Sequence, residues 1–145
     1  MGWEFWQNLG AAALCGAIIG LERQLDGKPM GLRTGILIAA GTATFVLLGD
    51  TVDERGDSTR VLGQLITGVG FLGGGVLFQQ NGVVQGLTTA AAVWLLAAIG
   101  AAAGMGYGLD AVLLSVAAVV ALRGLGSLER ALPGLRKGAH GIEKP

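Results

Sequence analysis

Residues 87–123 read LTTAAAVWLLAAIGAAAGMGYGLDAVLLSVAAVVALR, with Asp110 the single charged side chain before the closing Arg123. As one helix, about 37 residues would reach ~55 Å at 1.5 Å per residue, well beyond a hydrocarbon core of ~30 Å. The stretch therefore has to fold back on itself. Gly104, Gly106 and Gly108 around Tyr107 supply the turn. Two apolar helices joined by a tight glycine turn form a membrane hairpin, and that reading decides the fold class.

Working outward, residues 4–22, 32–49 and 61–79 are three further apolar stretches, beside 87–104 and 108–124. Each is near the ~20 residues that cross a bilayer. The expectation is an all-α polytopic membrane protein, a bundle of about five transmembrane helices. Composition agrees: of 145 residues, 52% are hydrophobic and only 14% charged, and a charge at a helix centre costs roughly 2.5 to 3.5 kcal/mol on the insertion scale. Residues 1–126 read as the transmembrane domain and 127–145 as a short polar cytoplasmic tail. Met1 to Gln7 contains Glu4 and no basic residue, unlike a secretory signal, so the first apolar stretch is expected to stay in the mature protein. Cys15 is the one cysteine, cannot form an internal disulfide, and reads as a small packing residue.

Orientation follows from the basic residues. Arg23, Lys28 and Arg33 lie between the first two stretches, and Arg123, Arg130, Arg136, Lys137 and Lys144 lie at or after the end of the last. With five spans these eight share one side. Only Arg55 and Arg60 fall on the other, beside Asp50, Asp53, Glu54 and Asp57. The positive-inside rule then puts the N-terminus outside and the C-terminus in the cytoplasm.

A shift of 55 positions aligns residues 20–34 with 75–89 without a gap. It matches Gly20 with Gly75, Gln24 with Gln79, Gly27 with Gly82, Gly31 with Gly86, Leu32 with Leu87 and Thr34 with Thr89. This is a candidate two-hairpin repeat, parallel about an axis along the membrane normal. The charges are confined to the first copy: Glu22, Arg23, Lys28 and Arg33 stand opposite Leu77, Phe78, Val83 and Thr88. Polar specialisation therefore belongs to the first hairpin.

Gly68 to Gly73 fit the dinucleotide pattern G-x-G-x-x-G, but the copy lies inside a membrane-length apolar run rather than between a strand and a solvated helix. Close helix packing explains the glycines better: Gly16 with Gly20, Gly70 with Gly74, and Gly100 with Gly104 are each G-x-x-x-G pairs. Three such pairs lead to the expectation of a homo-oligomer. Glu22, Arg23 and Arg33 sit at inner helix ends, where snorkelling to the interface is the plain reading and a functional polar site the sharper one. Glu22 is expected to pair with Arg33 across the hairpin. Thr42, Thr44, Gln64, Thr67, Thr88 and Thr89 are expected to hydrogen-bond between helices or onto their own backbone. The acidic loop 50–57 is chemically able to hold a divalent cation weakly, without an EF-hand spacing. No cofactor is implied. The one histidine, His140, lies in the polar tail, which leaves no histidine-based catalytic or metal set in the membrane. Enzyme activity is not expected, and nothing points to nucleic acid.

Gly20, Leu21, Glu22 and Arg23, then Gly31, Leu32, Arg33 and Thr34, then Gly68 to Gly75, Gly86 to Trp94, and Ala98, Ile99 and Gly100 resemble, in order, the membrane domain of the MgtC/SapB family. The resemblance covers residues 8–122. It implies a bacterial inner-membrane protein; the best-known members support growth at low magnesium and survival inside macrophages, and one is reported to restrain the ATP synthase. Carried over by motif, Glu22, Arg23, Arg33 and Thr34 occupy the family's polar first hairpin and Thr88 the polar start of the fourth helix. The chain departs from the virulence members, which have an asparagine where Thr88 stands and a cysteine where Leu95 stands, and Gln85 replaces an arginine often found before Gly86. Many members also carry a soluble C-terminal domain, whereas 23 residues follow Leu122 here, so the membrane module alone is expected.

The function expected from these features is regulatory or partner-binding, linked to magnesium homeostasis and low-magnesium growth and exerted through helix contacts in the bilayer, with another membrane protein as a candidate partner. The alternative is a magnesium transporter or channel subunit. Against it, Mg2+ dehydrates reluctantly and takes carboxylate or water oxygens, and the spans offer Glu4, Glu22 and Asp110 only near their ends.

Overall fold

The computed structural model describes residues 2–52, 58–80 and 83–132. Five helices follow one another: α1 (Trp3–Leu25), α2 (Leu32–Val52), α3 (Ser58–Gly75), α4 (Leu87–Gly104) and α5 (Gly108–Ala131). Between α3 and α4, strands β1 (Phe78–Gln80) and β2 (Val83–Gln85) pair antiparallel, with Phe78 opposite Gln85 and Gln80 opposite Val83. The all-α expectation thus holds for the bundle. The small hairpin was not expected.

Glycine ends two of the helices in the same way. At the end of α1 Gly27 takes φ 65°, the Gly27 N–H bonds the Gln24 carbonyl, and the Lys28 N–H reaches back to the Arg23 carbonyl. At the end of α4 Gly106 takes φ 91°, its N–H bonds the Ala103 carbonyl, and the Tyr107 N–H bonds Ala102. Both are Schellman caps, in which a left-handed residue satisfies the last carbonyls. The second is the turn anticipated around Tyr107, with Gly106 as its pivot. Gly104 still belongs to α4 and Gly108 opens α5.

α4 packs on all four other helices; α1 packs most closely on α2 and also on α4 and α5, while α3 leans on α4 and more thinly on α2. The core is small-sided: Ala12, Cys15, Ala39, Ala43, Ala103 and Ala111 are fully buried, with Ile19, Leu96 and Ile99 among the few large residues inside. The bulky side chains face out. Leu37 is 72% exposed, Leu109 74% and Phe71 83%. In water so much apolar surface would drive aggregation. In a bilayer the outside is as apolar as the inside, and small residues at helix contacts are what close packing requires.

Three helices contain segments long and apolar enough to cross a membrane: Leu32–Gly49, Leu87–Gly104 and Gly108–Leu128. α1 and α3 have 23 and 18 residues; α1 carries Glu4, Glu22 and Arg23 and α3 begins near Arg60. The helix α5 continues to Ala131, because nothing in Ser127 to Ala131 breaks a helix. Asp53, Glu54, Arg55 and Asp57 of the acidic loop, and His140, Arg136, Lys137 and Lys144 of the tail, lie outside the described residues.

Candidate functional site

The charged residues of the first hairpin separate into two groups. Glu22 and Arg23, in the last turn of α1, are 2% and 3% exposed, while Arg33 and Thr34 at the start of α2 are exposed. Arg23 Nε donates to Glu22 Oε2 at 2.8 Å and its Nη2 to Oε1 at 3.4 Å, a two-pronged ion pair between neighbours in sequence. The Arg23 guanidinium also stands 3.5 Å from Asp26 Oδ2. From α5, Arg123 brings Nε to 4.0 Å from Glu22 Oε1. Two acids and two bases are therefore gathered where α1 meets α5, with their charges balanced.

This corrects the expected Glu22–Arg33 pair. Helix spacing places adjacent positions about 100° apart, which argues against an i, i+1 pair. Long side chains with several torsions can nevertheless curl together where packing excludes water, and a buried carboxylate takes the nearest guanidinium. Arg33 keeps its charge at the surface. The missed participant is Arg123; its signal was positional, since it closes the last apolar run on the side where Glu22 closes the first.

The two helices of this hairpin are sealed by glycine. A methyl group placed on Gly16 would collide with the carbonyl oxygen of Gly35 and lie 2.7 Å from Ile36 Cα; one on Gly20 would lie 2.9 Å from the Gly31 oxygen. Gln24 Oε1 accepts the Leu32 N–H at 3.0 Å, so a side chain of α1 caps the start of α2. At the opposite end of the bundle a methyl on Gly100 would be 2.9 Å from Ala39 Cα, and one on Gly104 2.8 Å from the Ala43 oxygen. The Asn8 amide approaches the Gly104 carbonyl at 3.5 Å there.

Gly70 and Gly74 behave differently from the other two pairs. Nothing stands within 4 Å of a methyl group on either, and the α3 glycine that meets a neighbour is Gly73, 3.6 Å from the Ala90 oxygen. The expected packing pair thus lies on the open side of α3. In the candidate 55-residue repeat the positions opposite Gly16 and Gly35 are Phe71 and Ala90, so the glycine pair that joins α1 to α2 has no glycine counterpart there. Gly68 to Gly73 are all helical within α3, so the G-x-G-x-x-G run has no strand-to-helix turn to offer a phosphate.

Between α2 and α3 a lateral cleft of about 930 Å³ remains, walled by Leu37, Phe45, Leu65 and Leu72, with Thr34, Thr42, Arg60 and Gln64 as its polar members. Four helix hydroxyls bond their own helix: Thr42 to Ile38, Thr44 to Ala40, Thr67 to Gly63 and Ser115 to Ala111. Thr88 is exposed and Thr89 is the buried member of that pair. Among the described residues no three His, Cys, Asp or Glu side chains come together.

The family model described as the MgtC family matches residues 9–131. The chain belongs to the MgtC family. Protein MgtC of Brucella abortus (strain 2308) is 45% identical over 98 residues, 68% of this chain and 41% of that protein. An uncharacterised Haemophilus influenzae protein is 41% identical over 122 residues, covering 77% of this chain and 51% of its own length. YhiD of Escherichia coli (strain K12), whose name designates it a candidate magnesium transporter, is 45% identical over 104 residues, 66% of this chain and 48% of YhiD. This MgtC-family chain thus spans about half the length of the relatives it matches. No solved structure matches it.

Proposed function

We propose that this MgtC-family chain is a regulatory, partner-binding protein of the bacterial inner membrane that supports magnesium homeostasis and growth at low magnesium, without enzymatic activity of its own. All five helices cross the bilayer in this reading, α1 because its Glu22 and Arg23 are neutralised by each other and by Arg123, and α3 because its 18 residues match the core thickness. The N-terminus is outside and the C-terminus cytoplasmic, and the protein works as a homo-oligomer. No resident cofactor is needed.

The observation that carries the regulatory reading is the neutralised carboxylate. Glu22 is the buried acid among the described residues, and both of its oxygens are engaged by arginine. Mg2+ wants free carboxylate or water oxygens in octahedral array, and two guanidinium groups beside the acid repel a cation. Transport remains the second reading, favoured by the name of YhiD at 45% identity. Two assays on the purified protein and a low-magnesium growth strain separate them. Restored growth with no Mg2+ flux in proteoliposomes is the expected result; flux above protein-free vesicles would establish transport instead.

A further inference from the structure

Gln64 departs from the pattern of the other polar residues in the helices. Thr42, Thr44, Thr67 and Ser115 each bond a carbonyl one turn earlier, but among the described residues the Gln64 amide has no hydrogen-bond partner. It is exposed, at the rim of the α2–α3 cleft and about two turns into α3. The buried positions of that helix, Val69 and Gly73, lie on its opposite side. In the five-span reading, on which this inference rests, the amide faces hydrocarbon with two donors and a carbonyl oxygen unsatisfied. Lipid tails cannot supply either partner, whereas a protein surface brought against this face can.

We propose that α3 is the self-association helix of this protein and that Gln64 pairs with Gln64 of a second copy. Copies inserted with the same topology can be related by a two-fold axis only along the membrane normal, and residues beside such an axis meet their own equivalents. A primary amide suits that arrangement because it is its own complement: each carbonyl accepts from the other's NH2 group. Room for approach exists on the same face. Gly68, one turn further on and like Gln64 at the edge of the α2–α3 cleft, has nothing within 4 Å of a methyl group placed on it, and Phe71 projects two turns on at 83% exposure. α3 is also the helix with the least support inside its own bundle, so a partner adds contacts without displacing any.

The test is site-specific disulfide trapping in native membranes, in a Cys15→Ala background. Gln64→Cys should form a reduction-sensitive band of twice the monomer mass under mild oxidation, whereas Leu113→Cys, equally lipid-facing on α5, should not. In purified protein Gln64→Leu should weaken association by about tenfold while Gln64→Asn preserves it. A membrane-impermeant thiol reagent applied to Gln64→Cys separates the two readings. Labelling would place residue 64 in water and overturn both the embedding of α3 and the pairing. Protection without a dimer band, a band equally strong for Leu113→Cys, or a band of another mass would overturn the pairing alone.

Discussion

Glu22 and Arg23 are consecutive residues of one helix, and their side chains are locked to each other, Nε to Oε2 at 2.8 Å, with both residues almost wholly buried. A pair held this way has to be kept or lost together. Removing one charge leaves the other in a dry setting with only its longer contact, Asp26 for Arg23 and Arg123 for Glu22, and breaking a buried pair costs up to about 3 to 5 kcal/mol. Glu22→Gln and Arg23→Gln should therefore each lower thermal stability sharply, and the double change should be milder than the sum of the two. Arg33→Gln should be nearly silent and additive with Glu22→Gln. Melting of the three single and two double variants in detergent measures this; coupling between positions 22 and 33 would contradict the geometry.

Arg123 makes the longer contact to Glu22, at 4.0 Å, and is about half exposed. Its loss should cost about 1 kcal/mol or less, as for solvent-reached ion pairs, and the loss should shrink as salt is raised. A thermal shift of Arg123→Gln at two ionic strengths reads it out. A loss as large as that of Arg23→Gln would mean that α5 closes over the pair more tightly than the distance shows.

The glycines divide into two groups with opposite expectations. Gly16→Leu or Gly100→Leu forces apart backbones already in contact and should destabilise by about 3 kcal/mol or abolish accumulation. Gly70→Ala meets open space, and alanine is a better helix former than glycine by roughly 1 kcal/mol, so it should be neutral or slightly stabilising. Expression level and melting temperature measured side by side would show the split. Equal damage at Gly70 would place a tight neighbour there.

Gln24 ties the end of α1 to the start of α2 by accepting the Leu32 N–H. Gln24→Ala leaves that N–H to water and should cost about 1 kcal/mol, the usual worth of a helix cap. Gln24→Glu keeps an acceptor and should cost less. Hydrogen exchange at Leu32, faster in the alanine variant only, would confirm that the cap acts locally.

Fusions at the two termini test the five-span topology. A cytoplasmic reporter at the C-terminus should be active, and a periplasmic one at the N-terminus should be active. Activity of a C-terminal periplasmic reporter would require an even number of spans.

Apolar period and length are properties of the chain itself, so the sequence alone determined that five helices form, roughly where they begin, that the turn before α5 is built on glycine, and that lipid is the solvent. Gly16, Gly20, Gly100 and Gly104 were legible as contact positions because a side chain of one hydrogen announces a close neighbour. The short β1–β2 hairpin was also legible in principle, through Asn81-Gly82 followed by the consecutive Val83 and Val84, and was missed because the surrounding helices dominate the pattern. Which partner each group takes was decided only by tertiary structure. Gly70 and Gly74 have the same spacing as the packed pairs and face outward, since α3 meets α4 along another line, through Gly73 and Ala90. Glu22 had three arginines within reach along the chain or across the bundle, and its choice of Arg23 and Arg123 over Arg33 follows from where α5 comes to rest. Helix formation depends on residues a turn apart; pairing depends on rotations of whole helices, and those are set by every contact at once.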